Sequence, residues 1–397
     1  MKTSNPRAAF VVLAGGRSRR FGTDKLAHEV AGRSLLDHAL DAIPADADIY
    51  LVGPPRPVSR PLTIVREEPP GGGPAAALVC GLSAALEAGA DLIATLPGDT
   101  PGAGATGVIL LDRLRSDPTA AAVVGVDPDG REQPLQLALT RTAAAEIIAA
   151  AGPTLGAGQS ARALVRALQP PAVRCALDET AVFDIDDHDQ LTAWRLATSP
   201  AIEDLLSEIG RRSNDRPGPL VVALDGPSCA GKSILASALR LRTAAIVVEG
   251  DDFYGAGLPS LSTEDRAAMS DAEVMSAVID WRRLRDEAVV PLLADRPARF
   301  RPYDWSADDG RLAAEKIIRP ADLIIVEGVY SARPELAELV GLAVHVSVDP
   351  QVRQRRSTKR GNDPDWTGFW ERGESHYFTQ VRPPQSFDVR LESLEIS

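Results

Sequence analysis

The chain predicts an α/β protein of two successive domains, each built on a mainly parallel sheet with helices on its faces. Three observations carry this. Short apolar runs alternate with Ala/Leu-rich stretches, the pattern of β-α-β units. Two glycine-rich loops, LAGGRSRRFGTDK at 13–25 and GPSCAGKS at 226–233, each follow a strand of buried type and lead into a stretch that can be helical. The 397 residues suffice for two or three separate cores.

In the first half the strand candidates are Phe10–Ala14, Ile49–Val52, Leu62–Val65, Leu92–Leu96 and Ala121–Val126, with helix candidates at Ser34–Ile43 and Ala75–Ala88. Such a sheet binds ligands at the carboxyl ends of its strands, where Gly15, Gly16 and Asp99 fall. Residues 199–218 contain RRSNDRPG, polar and rich in turn formers, and read as a linker after a short helix. The domains are therefore expected at 1–198 and 219–397. After the linker the strand–loop–helix pattern restarts at LVVALD (220–225), and further strands are expected at Ala244–Val248 and before Glu327. No internal repeat is visible.

Composition narrows the class. Apolar content of 44% and charged content of 25% suit a soluble globular protein. The net charge is −12, and neither half is basic, which argues against nucleic acid as a partner. No apolar run approaches membrane-spanning length. The N-terminal apolar run is better explained as a first strand than as a signal peptide. Cys80, Cys175 and Cys229 have neither metal-ligand spacing nor an even count, so a reducing cytoplasm is expected. Lysine is rare: Lys2, Lys25, Lys232, Lys316 and Lys359 are the five, and two of them sit in the glycine loops. A compact ammonium that can approach phosphate oxygens is a reason to keep lysine there.

In the first loop, Gly15-Gly16 after a strand lets backbone amides approach an anion. Arg17, Arg19, Arg20 and Lys25 crowd positive charge that a triphosphate would neutralise. The ordered string LAGG, Ser18, Arg20, Gly22, Asp24, Lys25 resembles the signature of the molybdenum cofactor guanylyltransferases and related nucleotidyltransferases. The likeness continues through EPPGGGPAAALVCGLSAAL (68–86), TLPGDTP (95–101), REQPLQLALTR (131–141) and FDIDDHDQL (183–191), covering about residues 8 to 196. It implies a Rossmann-like nucleotidyltransferase domain. Leu13, Ala14, Gly15, Gly16, Arg20 and Lys25 would bind the nucleotide, with Lys25 and Asp99 catalytic and Asp99 the ligand of Mg2+. Asp186 stands where the family often has Asn.

The second loop fits G-x-x-x-x-G-K-[ST] through Gly226, Gly231, Lys232 and Ser233, with the strand before and the helix after that the P-loop requires. Ser228 and Ala230 complete its phosphate-facing stretch. Lys232 would reach the β- and γ-phosphates and Ser233 would bind magnesium. The next strand runs into EGDDFYG (249–255), which resembles the Asp-x-Phe-Tyr of the uridine kinase family. That likeness covers about residues 219 to 390. It implies Asp251 as base with Asp252 as alternative, acceptor binding by Asp251, Tyr254, Tyr303 and Asp304, Glu327 in the metal shell, and Arg356 and Arg360 in a lid over the phosphates. The histidine-rich GTP-binding accessory sometimes fused to guanylyltransferases is disfavoured, because the second half holds only His345 and His376.

The expected function is thus bifunctional. The first half would move a nucleotidyl group, GMP from GTP, to a molybdopterin-like phosphate. The second would use ATP to phosphorylate a nucleoside-like hydroxyl. Open alternatives are a CTP donor or another phosphorylated acceptor for the first half, and a nucleotide-binding regulatory module for the second.

Overall fold

The computed structural model describes residues 6–16, 21–360 and 363–392, and the chain divides into two compact units, 1–191 and 192–397. The first unit holds strands β1 (Ala8–Leu13), β2 (Asp48–Val52), β3 (Thr63–Val65), β4 (Leu92–Pro97), β5 (Ala122–Val126), β6 (Glu132–Thr140) and β7 (Val173–Ala176) in one sheet ordered β3-β2-β1-β4-β6-β5-β7. β1 runs parallel to both β2 and β4, with Leu13 opposite Val52 and Pro97. Three strand ends therefore deliver loop 14–16, Gly53 and Asp99 to one edge. β6 is reversed, with Ile93 opposite Leu139 and Val123 opposite Ala138. Only a short turn separates β5 from β6, too short for a parallel crossover.

Both faces of this sheet are covered. Alternation along β1 sends Val11 to one face with Val52, Leu78 and Leu82, and Phe10 and Val12 to the other with Leu36, Leu40 and Leu110. The first face belongs to α2 (Pro74–Glu87), started by Pro74, and the second to α1 (Leu35–Leu40) and α3 (Ala103–Ser116). A Cβ on Gly81 would meet Val11 Cγ1 at 2.2 Å, so α2 lies on β1 only because glycine is there.

The second unit has strands β8 (Leu220–Asp225), β9 (Ile246–Glu249), β12 (Leu323–Glu327), β13 (Leu342–Ser347) and β14 (Val389–Glu392) in an all-parallel sheet ordered β9-β12-β8-β13-β14. β10 (Ala298–Phe300) and β11 (Lys316–Ile318) form a separate antiparallel hairpin. Every residue of β8 is buried, as in a central strand covered on both faces. The Gly226–Ser233 loop follows β8 and opens a helix, the strand–loop–helix arrangement of a P-loop NTPase.

The expected linker is different. Residues 203–214 form helix α4 (Glu203–Asn214), entered through Ile202, and Ile202, Leu205 and Ile209 are buried. The helix contacts β8, and Arg212 donates to the Gly341 carbonyl at 2.9 Å and pairs with Asp388 at 3.3 Å. The apolar positions fall at i, i+3 and i+7, one helical stripe, so the segment is an integral part of the second unit. The remaining helices used below are α5 (Lys232–Arg242), α6 (Asp271–Val278), α7 (Pro350–Arg360) and α8 (Pro364–His376). Among the described residues no helix is long and apolar enough to cross a membrane.

Candidate active sites

At the first site, β1 ends at Leu13 and the chain turns through Ala14, Gly15 and Gly16. The Ala14 amide donates to the Val52 carbonyl at 2.8 Å, and the Ala14 carbonyl accepts from Arg56 Nη1 at 2.6 Å. Gly53 sits at φ +153° where a Cβ would lie 2.7 Å from the Ala14 oxygen, so the two loops pack backbone to backbone. A Cβ on Gly16 itself would meet nothing within 4 Å. Asp24 caps the short turn that carries Lys25 and pairs with Arg56 at 2.7 Å.

Lys25 is the centre of this site. Its side chain is 9% exposed, and Nζ lies 2.8 Å from Asp99 Oδ2 and 2.8 Å from Asp186 Oδ1. Burial pulls its pKa down, but the two carboxylates outweigh that and hold it above the ordinary lysine value. Lys25 therefore stays a cation and cannot serve as a base. Asp184 is raised, first by burial and then by the charges of Asp186 and Asp99. The FDIDDHDQL segment is fixed to the Asp99 loop by the Ile185 amide, which donates to the Asp99 carbonyl at 3.0 Å. Asp186 thus stands beside Asp99 although it departs from the motif. Arg20 lies outside the described residues.

One residue here escaped sequence reasoning. Glu67 is buried, accepts from the Gly71 amide at 3.0 Å through Oε1, and lies beside Gly15. Its Oε2 has no hydrogen-bond partner among the described residues. A Glu-Glu pair before Pro-Pro-Gly is the only sequence signal it leaves.

At the second site, Gly226 has φ +147° and its Cβ would fall 2.0 Å from the Val346 carbonyl oxygen; no side chain fits. The residue before it, Asp225, is fully buried and accepts from the Gly226, Tyr330 and Ala332 amides and the Tyr377 hydroxyl at 2.7–3.0 Å. Burial raises its pKa. Lys232 Nζ rests on the Gly226 and Pro227 carbonyls at 2.9 and 3.0 Å. Ser233 Oγ donates to Glu327 Oε1 at 3.1 Å, which joins the two residues expected around a metal. Burial, resisted by Lys232, pushes Glu327 up to about 7. Arg356 donates to the Cys229 carbonyl at 3.3 Å and so reaches the loop; the Arg360 side chain lies outside what is described.

A cavity of ≈ 930 Å³ opens from Ser228 and Cys229 past Asp251. Its wall includes Tyr254, Trp305 and Trp370, with ring centroids 4.8 Å apart for Tyr254–Trp305 and 6.3 Å for Tyr254–Trp370. The expected acceptor set needs correction here. Asp251 and Tyr254 line the cavity, but Tyr303 and Asp304 are not among its lining residues. Tyr303 is buried with its hydroxyl on Asp308 at 2.8 Å, and the Asp304 carboxylate caps the turn at Ser306 and Ala307. Trp305 faces the cavity in their place. Asp252 is held by Lys316 at 2.8 Å and its side chain is only 12% exposed, so of these two neighbouring acids it is Asp251 that lines the cavity.

Residues 10–173 match the family model for the MobA-like NTP transferase domain. A protein named probable molybdenum cofactor guanylyltransferase from Mycobacterium ulcerans is 37% identical over 144 residues, 35% of this chain and 70% of that protein. This chain belongs to the MobA-like NTP transferase family. A second MobA-like relative, a molybdenum cofactor guanylyltransferase from Cereibacter sphaeroides, is 34% identical over 96 residues, 23% of this chain and 49% of its own length. Solved structures that resemble this MobA-like protein include one described as a possible uridine kinase from Bacillus stearothermophilus, at 20% identity and TM-score 0.35, covering 46% of this chain and 99% of that one. Another is molybdopterin-guanine dinucleotide biosynthesis protein A from Archaeoglobus fulgidus, at 17% identity and TM-score 0.35, covering 50% and 99%.

Proposed function

We propose that the first unit transfers GMP from GTP to the phosphate of a molybdopterin-like acceptor. The observation that carries this is Lys25 fixed between Asp99 and Asp186 at the exit of the Gly15-Gly16 loop. An acceptor phosphate oxygen attacks the α-phosphorus, the bond to the bridging oxygen breaks, and pyrophosphate leaves. This chemistry needs alignment and charge neutralisation more than proton transfer, which suits a lysine held as a cation. Among the described residues no cluster of three His, Cys, Asp or Glu side chains has metal-site spacing. Asp99 and Asp186 nevertheless fit Mg2+, which takes one or two carboxylates and completes its shell with nucleotide phosphates and water. When bound, it supplies further neutralisation of the phosphates.

The second unit is read as an ATP-dependent kinase. Asp251 beside the P-loop takes the proton of the acceptor hydroxyl, whose oxygen attacks the γ-phosphorus as ADP leaves. The Tyr254–Trp305–Trp370 wall supports an acceptor bearing a flat, uncharged ring, in line with a nucleoside. Ser233 and Glu327 fit the metal that accompanies ATP.

Ligand-induced thermal shift of the full chain with magnesium tests both readings, since a ligand of the folded state raises its melting point. GTP should act through Lys25 and ATP through Lys232: Lys25→Ala should abolish only the GTP shift and Lys232→Ala only the ATP shift. Turnover is read as pyrophosphate released from GTP with molybdopterin and as phosphate incorporated into uridine or cytidine. A CTP shift larger than the GTP shift would overturn the donor assignment. ATP binding without transfer to any nucleoside would leave the second unit as a regulatory module.

A further inference from the structure

The P-loop of the second unit already holds an anion that belongs to the protein. The Ser228 amide lies 3.2 Å from both carboxylate oxygens of Glu374, and the Ser228 hydroxyl donates to Glu374 Oε1 in a short contact. Arg353 Nη1, from α7, donates to Glu374 Oε2 at 3.3 Å, while its Nη2 donates to Glu371 at 3.2 Å. Glu374 is 5% exposed and stands on α8, more than 140 residues from the loop in sequence. P-loop amides exist to cradle phosphate oxygens, and a carboxylate is the nearest side-chain equivalent of that oxyanion. Ser228, Arg353 and Glu374 all line the cavity in which the transferred phosphoryl group would have to sit.

We infer that Glu374 is a positioning residue of the second site, a carboxylate that occupies part of the phosphate cradle of the loop and releases Ser228 and Arg353 to the terminal phosphate when a nucleoside triphosphate enters. The inference rests on the reading of the second site as a triphosphate site. Two anions cannot share these donors at hydrogen-bond distance without strong repulsion, so Glu374 has to withdraw. Its withdrawal is felt at the acceptor end. Thr367, Gly368, Trp370, Glu371 and Glu374 recur at helical spacing on α8, and all five face the cavity. Donor entry therefore repositions the face that carries Trp370, and the acceptor pocket takes its final form only after the triphosphate is in place. A diphosphate, which lacks the terminal group, leaves Glu374 where it is.

The test compares ATP and ADP binding by calorimetry in the full-length wild type and in Glu374→Gln, with Lys232→Ala as the blank. Glutamine keeps the shape and one acceptor but removes the charge. ATP is expected to bind about tenfold more tightly to the variant, the gain from relieving a competing closed state populated about nine-tenths of the time, while ADP changes little. Hydrogen exchange of the wild type gives a second measurement that needs no variant: ATP, and not ADP, should alter protection of the α8 amides. Equal ATP affinity in both proteins, or weaker ATP binding by the variant, would overturn the inference and leave Glu374 as a brace for the loop. Unchanged α8 protection with ATP would do the same. If neither protein binds ATP, the nucleotide-site reading itself fails.

Discussion

At the scale of single residues, the two acids after β9 stand in different surroundings. Asp251 lines the cavity, whereas Asp252 is bound to Lys316. Asp251→Asn should keep ATP affinity and lose phosphoryl transfer by about a hundredfold or more, the usual contribution of a general base. Asp252→Asn should lower thermal stability and leave transfer within a few-fold, because it removes a partner of a half-buried lysine. Transfer and ATP binding measured in parallel separate the two; full activity in Asp251→Asn would remove it from the mechanism. Glu327 gives a pH signature. Its folded-state pKa of about 7 lies above the ordinary 4.5, so the folded state holds the proton more tightly than the unfolded one. Stability from this group is fully present below about 4.5 and is lost as pH rises through 7. The loss is on the order of 3 kcal/mol at 1.36 kcal/mol per unit. Urea unfolding of the nucleotide-free protein at pH 5 and pH 8 should show this difference in the wild type and a flattened one in Glu327→Gln. A metal shell requires the ionised carboxylate, so binding of the magnesium nucleotide should weaken over the same interval as pH falls.

At the scale of elements, α4 decides where the chain can be cut. Its Leu205 and Ile209 are buried and Arg212 reaches Gly341 and Asp388. A fragment starting at Pro200 should therefore melt cooperatively at a higher temperature than one starting at Pro217, and Leu205→Ala in the longer fragment should cost about 2–5 kcal/mol, the range for buried leucine truncations. Equal melting of the two fragments would show the helix to be dispensable. The same helix shows what the sequence conceals. Its apolar stripe has only three buried members, Ile202, Leu205 and Ile209, and the charged RRSND that ends it reads as a linker. The glycine loops were legible because their geometry is local: a strand, a close backbone approach and a helix start fall within a dozen residues. β6 coincides with the REQPLQLALTR motif, but its reversed direction depends on the short turn that precedes it. Trp370 and Glu374 were invisible as site residues, since nothing in a helix near the C-terminus announces that it lies over a loop at 226–233.

At the scale of the whole molecule, each unit supplies its own set of candidate site residues. Lys25, Asp99 and Asp186 all precede residue 191, and Lys232, Asp251, Glu327 and Glu374 all follow 192. The aromatic wall of the second cavity belongs to a wider asymmetry between the units. Trp194, Trp281, Trp305, Trp366 and Trp370 are the five tryptophans of the chain, and every one lies in the second unit. Indole emission excited at the red edge of its band is therefore an optical signal of one unit only, and the first is dark at that wavelength. Trp305 and Trp370 stand in the cavity wall itself, so a molecule stacking there should quench or shift the light directly. Filling of the Gly15-Gly16 site should leave the spectrum untouched. One cuvette of the intact chain can thus report occupancy of a single site while both substrates are present.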